Sequence, residues 1–198
     1  MPVVHRFDPP ERFVPGTVGE PGQRTFFLQA RAGNQVTSVA LEKQQVQILG
    51  ERVAELLDEL IQADETTAAT VPAITPVAMI DNEPLDQPIE EEFRAGTITL
   101  SWDAGDERVV IEVFPVVEVE VELPVEAAEQ ELIDLPIEEP EPEEVLLVRM
   151  SAAMARSFAA RAESVVAAGR APCPFCGGPM DPDGHLCPRA NGYRRTRS

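Results

Sequence analysis

Two periodicities alternate along the chain. Thr25-Phe26-Phe27-Leu28-Gln29-Ala30-Arg31 and Gln35-Val36-Thr37-Ser38-Val39-Ala40-Leu41 are rich in aromatic and β-branched residues and flank Ala32-Gly33-Asn34. That pattern predicts a β-hairpin. From Glu42 the period lengthens: Val46, Leu49, Val53, Leu56, Leu57 and Leu60 recur at three- and four-residue steps, with Glu51, Arg52, Glu55, Asp58 and Glu59 opposite. This is an amphipathic helix ending near Ala63, its apolar stripe suited to covering the hairpin. Strand character returns from Phe93 to Trp102, breaks at Asp103-Ala104-Gly105-Asp106 and resumes from Arg108 to Val116, a second hairpin. Val117, Val119, Val121 and Leu123 then alternate with Glu118, Glu120 and Glu122, as in a strand with a solvated acidic face. Period-two carboxylates of this kind are read as a wet face rather than as a divalent-cation site. Val145 to Met150 reads as a short buried strand. Ser151 is placed to cap a helix running to Ala168, with Met154, Phe158, Ala162 and Val165 on one face and Gly169 as its stop.

The order hairpin–helix, then hairpin–strand–helix, predicts an α+β fold. Two hairpin–helix units would share an antiparallel sheet with both helices on one face. The expected boundaries are an extended N-terminal arm over 1–22, an α+β domain over 23–168 and a metal-binding tail over 169–198. The arm is rich in Pro and Gly, His5 falls within it, and it is expected to lack regular structure. Two Pro-rich and acidic insertions, 64–91 and 124–144, are expected as linkers or draped loops.

Composition sharpens this picture in two ways. Only 5% of residues are aromatic and 19 are proline, which fits a modest core with extended connections. The net charge is −19, unevenly placed: twelve carboxylates and no Lys or Arg lie between Glu118 and Glu144. From Val145 to Ser198, eight arginines face three acids, a balance of +5 that leaves −24 on the rest. Such a body repels nucleic acid and anionic membrane unless the basic end acts alone. The chain has no apolar run long enough for a membrane helix, and its N-terminus carries no hydrophobic signal region, so a cytoplasmic protein is expected.

The chemistry concentrates in the tail. All three cysteines lie within 15 residues, Cys173-Pro174-Phe175-Cys176 followed by His185-Leu186-Cys187. Cys-x-x-Cys before Gly177 is a turn on which two thiolates converge, and His185 and Cys187 complete a four-ligand set for Zn²⁺ in a zinc-knuckle-like module. Three thiolates and a neutral imidazole leave the site at −1, which Arg170 and Arg189 would offset. Asp183 or water could replace His185, since His-x-Cys is a tight spacing. A redox pair lacks the strand–motif–helix setting, and an iron–sulfur site would want four thiolates. A segment this short needs a staple to fold. Arg189, Tyr193, Arg194 and Arg195 form a basic tip that could bind nucleic acid or a nucleotide by stacking and phosphate contact, or could simply be solvated. No phosphate loop, nucleophile elbow or His-Glu-x-x-His occurs, so a zinc-dependent enzyme is the remotest reading. A protein-interaction or adaptor role is preferred, with an unidentified protein partner and no membrane.

Three stretches carry a resemblance: Thr25-Phe26-Phe27-Leu28-Gln29-Ala30, Ala40-Leu41-Glu42-Lys43-Gln44-Gln45, and Cys-Pro-x-Cys-Gly-x-Pro-x-Asp-Pro-x-Gly-His-x-Cys-Pro-Arg-x-Asn-Gly-Tyr over 173–193. They resemble an actinobacterial family of uncharacterised proteins whose members accompany phosphoinositide-kinase-like and histidine-phosphatase-like proteins. The resemblance implies an intracellular actinobacterial protein associated with a phosphoryl-transfer system. It brings no established activity.

Overall fold

The structure is a computed structural model that describes residues 2–20, 22–63, 69–117, 143–169, 173–176, 187 and 189. Seven strands and two long helices follow one another as β1 (Val3–Phe7), β2 (Arg12–Val18), β3 (Thr25–Ala32), β4 (Gln35–Leu41), α1 (Lys43–Ala63), β5 (Glu91–Asp103), β6 (Arg108–Pro115), β7 (Glu144–Ser151) and α2 (Ala152–Ala167). Between α1 and β5 the described residues include a 3-10 turn, Val77–Met79. Both hairpins and both helices stand where the periodicities put them. Ser151 caps α2 by accepting a hydrogen bond from the Met154 N–H. The acidic alternation at Glu118, Glu120 and Glu122, and most of the 124–144 insertion, lie outside the described residues.

The N-terminal 22 residues are not an irregular arm. They supply β1 and β2, and Phe7, Phe13 and Val14 are buried. Pro15 is compatible with a strand because β2 is an edge, where a missing N–H breaks no ladder. The sheet is also not purely antiparallel. Its order is β1-β7-β6-β5-β4-β3-β2, and the β1–β7 and β4–β5 pairs are parallel. Strands far apart in sequence meet in those pairs, so hairpin patterns along the chain could not announce them.

Connectivity also sets the curvature of the sheet. Residues 8–11 join β1 at one edge to β2 at the other. Five residue steps, Phe7 to Arg12, reach at most about 18 Å. Six flat inter-strand spacings would need about 29 Å. The sheet must therefore curve until its two edges approach. The link is pinned on both sides: Glu11 N–H donates to the Arg31 carbonyl at 2.8 Å, and Arg149 of β7 lies 3.2 Å from the Asp8 carboxylate.

One core fills the face shared by the helices. Leu28, Val39, Ile111, Leu146 and Met150 from the strands meet Val46, Val53 and Leu57 of α1 and Phe158 and Ala162 of α2. The helices approach closely because α1 carries Gly50 where a Cβ would stand 2.7 Å from the Ala162 Cβ. Phe13 and Phe158 stack with ring centroids 4.9 Å apart, fastening α2 to edge strand β2.

The 64–91 insertion, expected as a linker or a draped loop, is a strap over its described part. Val71 is buried in the helix-side core, whereas Leu85 is buried on the opposite face with Val14, Phe27 and Ala40. Between them the chain passes round the β2 edge and covers it. Arg161 of α2 donates to the carbonyls of Pro15, Asp81 and Glu83 and to the Asp81 carboxylate. Arg12 donates to Asp81 and Asp86. Arg156 reaches Pro72 and Asp58, and Ser157 donates to the Met79 carbonyl. The buried amide of Gln29 exchanges hydrogen bonds with the Asp86 backbone and donates to Ser38, so both its N–H groups and its oxygen are engaged. Hydrogen bonding to Arg12, foremost, holds the Asp81 carboxyl below the usual carboxylate range, against burial that would raise it. Among the described residues no helix is long and apolar enough to cross a membrane.

Candidate metal centre

The tail motif becomes a geometric cluster in the structure. The sulfurs of Cys173, Cys176 and Cys187 all lie within 4.8 Å of one another. Cys173 and Cys187 are buried, Cys176 is half-buried, and none is in a disulfide. The Cys173 and Cys187 sulfurs are 3.8 Å apart. With metal–sulfur bonds of about 2.3 Å, two thiolates on one tetrahedral zinc ion stand about 3.8 Å apart. A disulfide would need about 2.05 Å. The spacing therefore suits thiolates sharing a cation and not a covalent bridge.

The local turn explains why these sulfurs converge. Residues 174–176 turn back, and the Phe175 N–H points at the Cys173 sulfur from 3.4 Å. Backbone N–H groups of Cys176, first, and of Phe175 hold the Cys173 thiol below its ordinary value, with further help from the thiols of Cys176 and Cys187, while burial opposes the shift. Thiolate is the ligand form, so the turn favours the charge state a metal requires. Arg189 donates to the Phe175 carbonyl at 3.0 Å, bracing the turn. Phe175 itself is 65% exposed.

Cys173, Cys176 and Cys187 are thus brought together, and they could hold a metal ion. His185 and its possible substitute Asp183 lie outside the described residues, as do Arg170, Tyr193, Arg194 and Arg195 of the basic tip. Arg189 is engaged with the turn. His5, expected in an irregular arm, lies instead in β1 with its imidazole near Glu92 and Glu144. The signal available was modest, a histidine between Val4 and Phe7 in a run with strand character.

Comparison with known proteins gives one match. A family model described as "Protein of unknown function (DUF3090)" matches residues 5–187, which takes in part of β1, strands β2 to β7, both helices and all three cysteines. No curated protein and no solved structure matches.

Proposed function

The chain belongs to the DUF3090 family, and on that premise we propose that it is a zinc-binding interaction or adaptor protein of the cytoplasm. The observation that carries this reading is the convergence of three thiols, two of them buried, at a spacing that suits co-ligands of one tetrahedral ion. Buried thiolates fit a closed structural centre better than a reactive one. His185 is the proposed fourth ligand. Zinc would then fold the tail and present what the turn carries, above all the exposed ring of Phe175.

The proposed partner is a protein, and the resemblance to a family associated with phosphoryl transfer directs the choice of candidate. An actinobacterial phosphoinositide-kinase-like protein from the same genome is the first one to try. Binding between the purified full chain and that protein should be measurable by calorimetry. It should weaken on Cys176→Ser or on chelation, and on Phe175→Ala with the metal still bound. Retention of full affinity by all of these would refute the role of the zinc tail. A nucleic-acid or nucleotide role for the basic tip ranks second. Arg189 already has a structural use in bracing the turn, and the −24 body opposes a polyanion. Salt-sensitive retention on RNA or DNA, abolished by Arg194→Ala with Arg195→Ala, would reverse that order.

A further inference from the structure

We propose a second metal site, separate from the cysteines, in which His5, Glu92 and Glu144 bind a divalent transition-metal cation such as Zn²⁺. The fold itself assembles these residues. β5 and β7 both run antiparallel to β6, and β1 runs parallel to β7, so all three strands begin at the same end of the sheet. In the β1–β7 ladder Val3 lies opposite Glu144 and His5 opposite Leu146, which puts His5 and Glu144 on one face, two positions apart. In a flat sheet β6 and β7 would separate β5 from β1. The curvature of the sheet removes that separation, and Glu92, at the start of β5, stands beside the imidazole.

The distances are longer than good hydrogen bonds and a few tenths of an ångström above those of co-ligands. His5 Nε2 lies 3.5 Å from Glu144 Oε2 and 3.9 Å from Glu92 Oε1, and the three ligand atoms fall within 4.8 Å of one another. Hydrogen bonds between such atoms would measure about 2.7–3.2 Å. Two ligands on one tetrahedral zinc ion, with bonds of about 2.0–2.1 Å, stand about 3.3–3.4 Å apart. A second observation points the same way: the His5 Nε2 and Glu144 Oε2 atoms are both buried, and among the described residues neither has a hydrogen-bond partner. Native proteins rarely leave such atoms unsatisfied, and a cation between them would satisfy both.

The donor set selects the class of ion. Two carboxylates neutralise a divalent charge, while the imidazole favours zinc, iron or manganese-like ions over the all-oxygen preference of calcium and magnesium. The Phe93 ring lies near the imidazole, at a centroid distance of 6.5 Å and tilted by 42°. Three protein ligands leave a coordination position for water, and Glu92, whose side chain is 42% exposed, marks the side from which water enters.

Cobalt(II) titration of the full-length, metal-stripped chain tests the site independently of the cysteine centre, because thiolate ligation adds an intense sulfur-to-metal charge-transfer band that nitrogen and oxygen ligands do not. The expected result is a cobalt equivalent with ligand-field absorption alone, lost in His5→Ala and weakened by about tenfold or more in Glu92→Gln. Glu92→Gln keeps the shape of a solvent-facing side chain, so it guards against a His5→Ala variant that fails to fold. Uptake confined to thiolate-bound cobalt, or a second equivalent indifferent to both substitutions, would overturn the proposal.

Discussion

Substituting Gly50 tests the packing on which the whole helix layer rests. A methyl group there would stand 2.7 Å from the Ala162 Cβ. Ordinary carbon contacts are about 3.5–4.0 Å, so the helices must part by about 1 Å or bend. Neither atom belongs to a flexible side chain that could swing away. Overpacking of this kind costs about 1–3 kcal/mol, and a separation shared by two long helices belongs near the top of that range. Alanine also returns about 1 kcal/mol of helix propensity. Gly50→Ala should therefore destabilise the chain by about 1–2 kcal/mol, although a helix-propensity argument alone would make it stabilising. The decisive quantity is the coupling with Ala162→Gly. Alone, that change should cost roughly 2 kcal/mol, from propensity and one buried methyl group. Made together, the two substitutions exchange the methyl between facing helices and remove the collision. The double variant should be more stable than the sum of the single effects by roughly 2 kcal/mol. Urea unfolding followed by circular dichroism measures all four corners of the cycle, and thermal midpoints should shift by about 2–4 °C per kcal/mol. A Gly50→Ala variant as stable as wild type, with additive single effects, would refute the close packing of α1 on α2.

Two further outcomes follow from other contacts. Ser151→Ala removes the side-chain acceptor for the Met154 N–H and should lower stability by about 1 kcal/mol in the same unfolding assay. The Asp81 carboxyl has a folded value held below its ordinary one by Arg12, so its stabilising effect is present above about pH 4 and is lost as pH falls through the folded value. Asp81→Asn should therefore destabilise the strap at neutral pH and flatten the acid limb of the stability–pH curve, with variant and wild type converging in strong acid.

Much of the fold is legible because periodicity reports local geometry. The step from Leu41 to Val46 changes the period from two to about 3.6, and the chain passes from β4 into α1 at that point. Ser151 before an apolar helical stripe is a cap with a mechanism, and it caps. What periodicity does not report is partnership. β1 and β2 are short, flanked by Pro9, Pro10 and Gly19, and neighbours in sequence, yet they close opposite edges of one sheet. Nothing local to Val3–Phe7 announces pairing with a strand about 140 residues away. The strap is equally opaque, since its anchors, Arg12, Gln29, Arg156 and Arg161, belong to three different elements, β2, β3 and α2. The same division governs the chemistry. Cys173, Cys176 and Cys187 are close in sequence, so spacing alone finds them. His5, Glu92 and Glu144 become neighbours only when the curved sheet brings β1, β5 and β7 together.

The measurement that bears most directly on the cysteine centre is the metal content of the full-length chain, purified without chelators, for wild type and Cys176→Ser, with thiol reactivity read in parallel. Zinc in the wild type should fall by one equivalent in Cys176→Ser, and Cys173 and Cys187 should turn from protected to reactive. Equal metal in the two proteins, or three freely reactive thiols in the wild type, would contradict a zinc ion held by these cysteines.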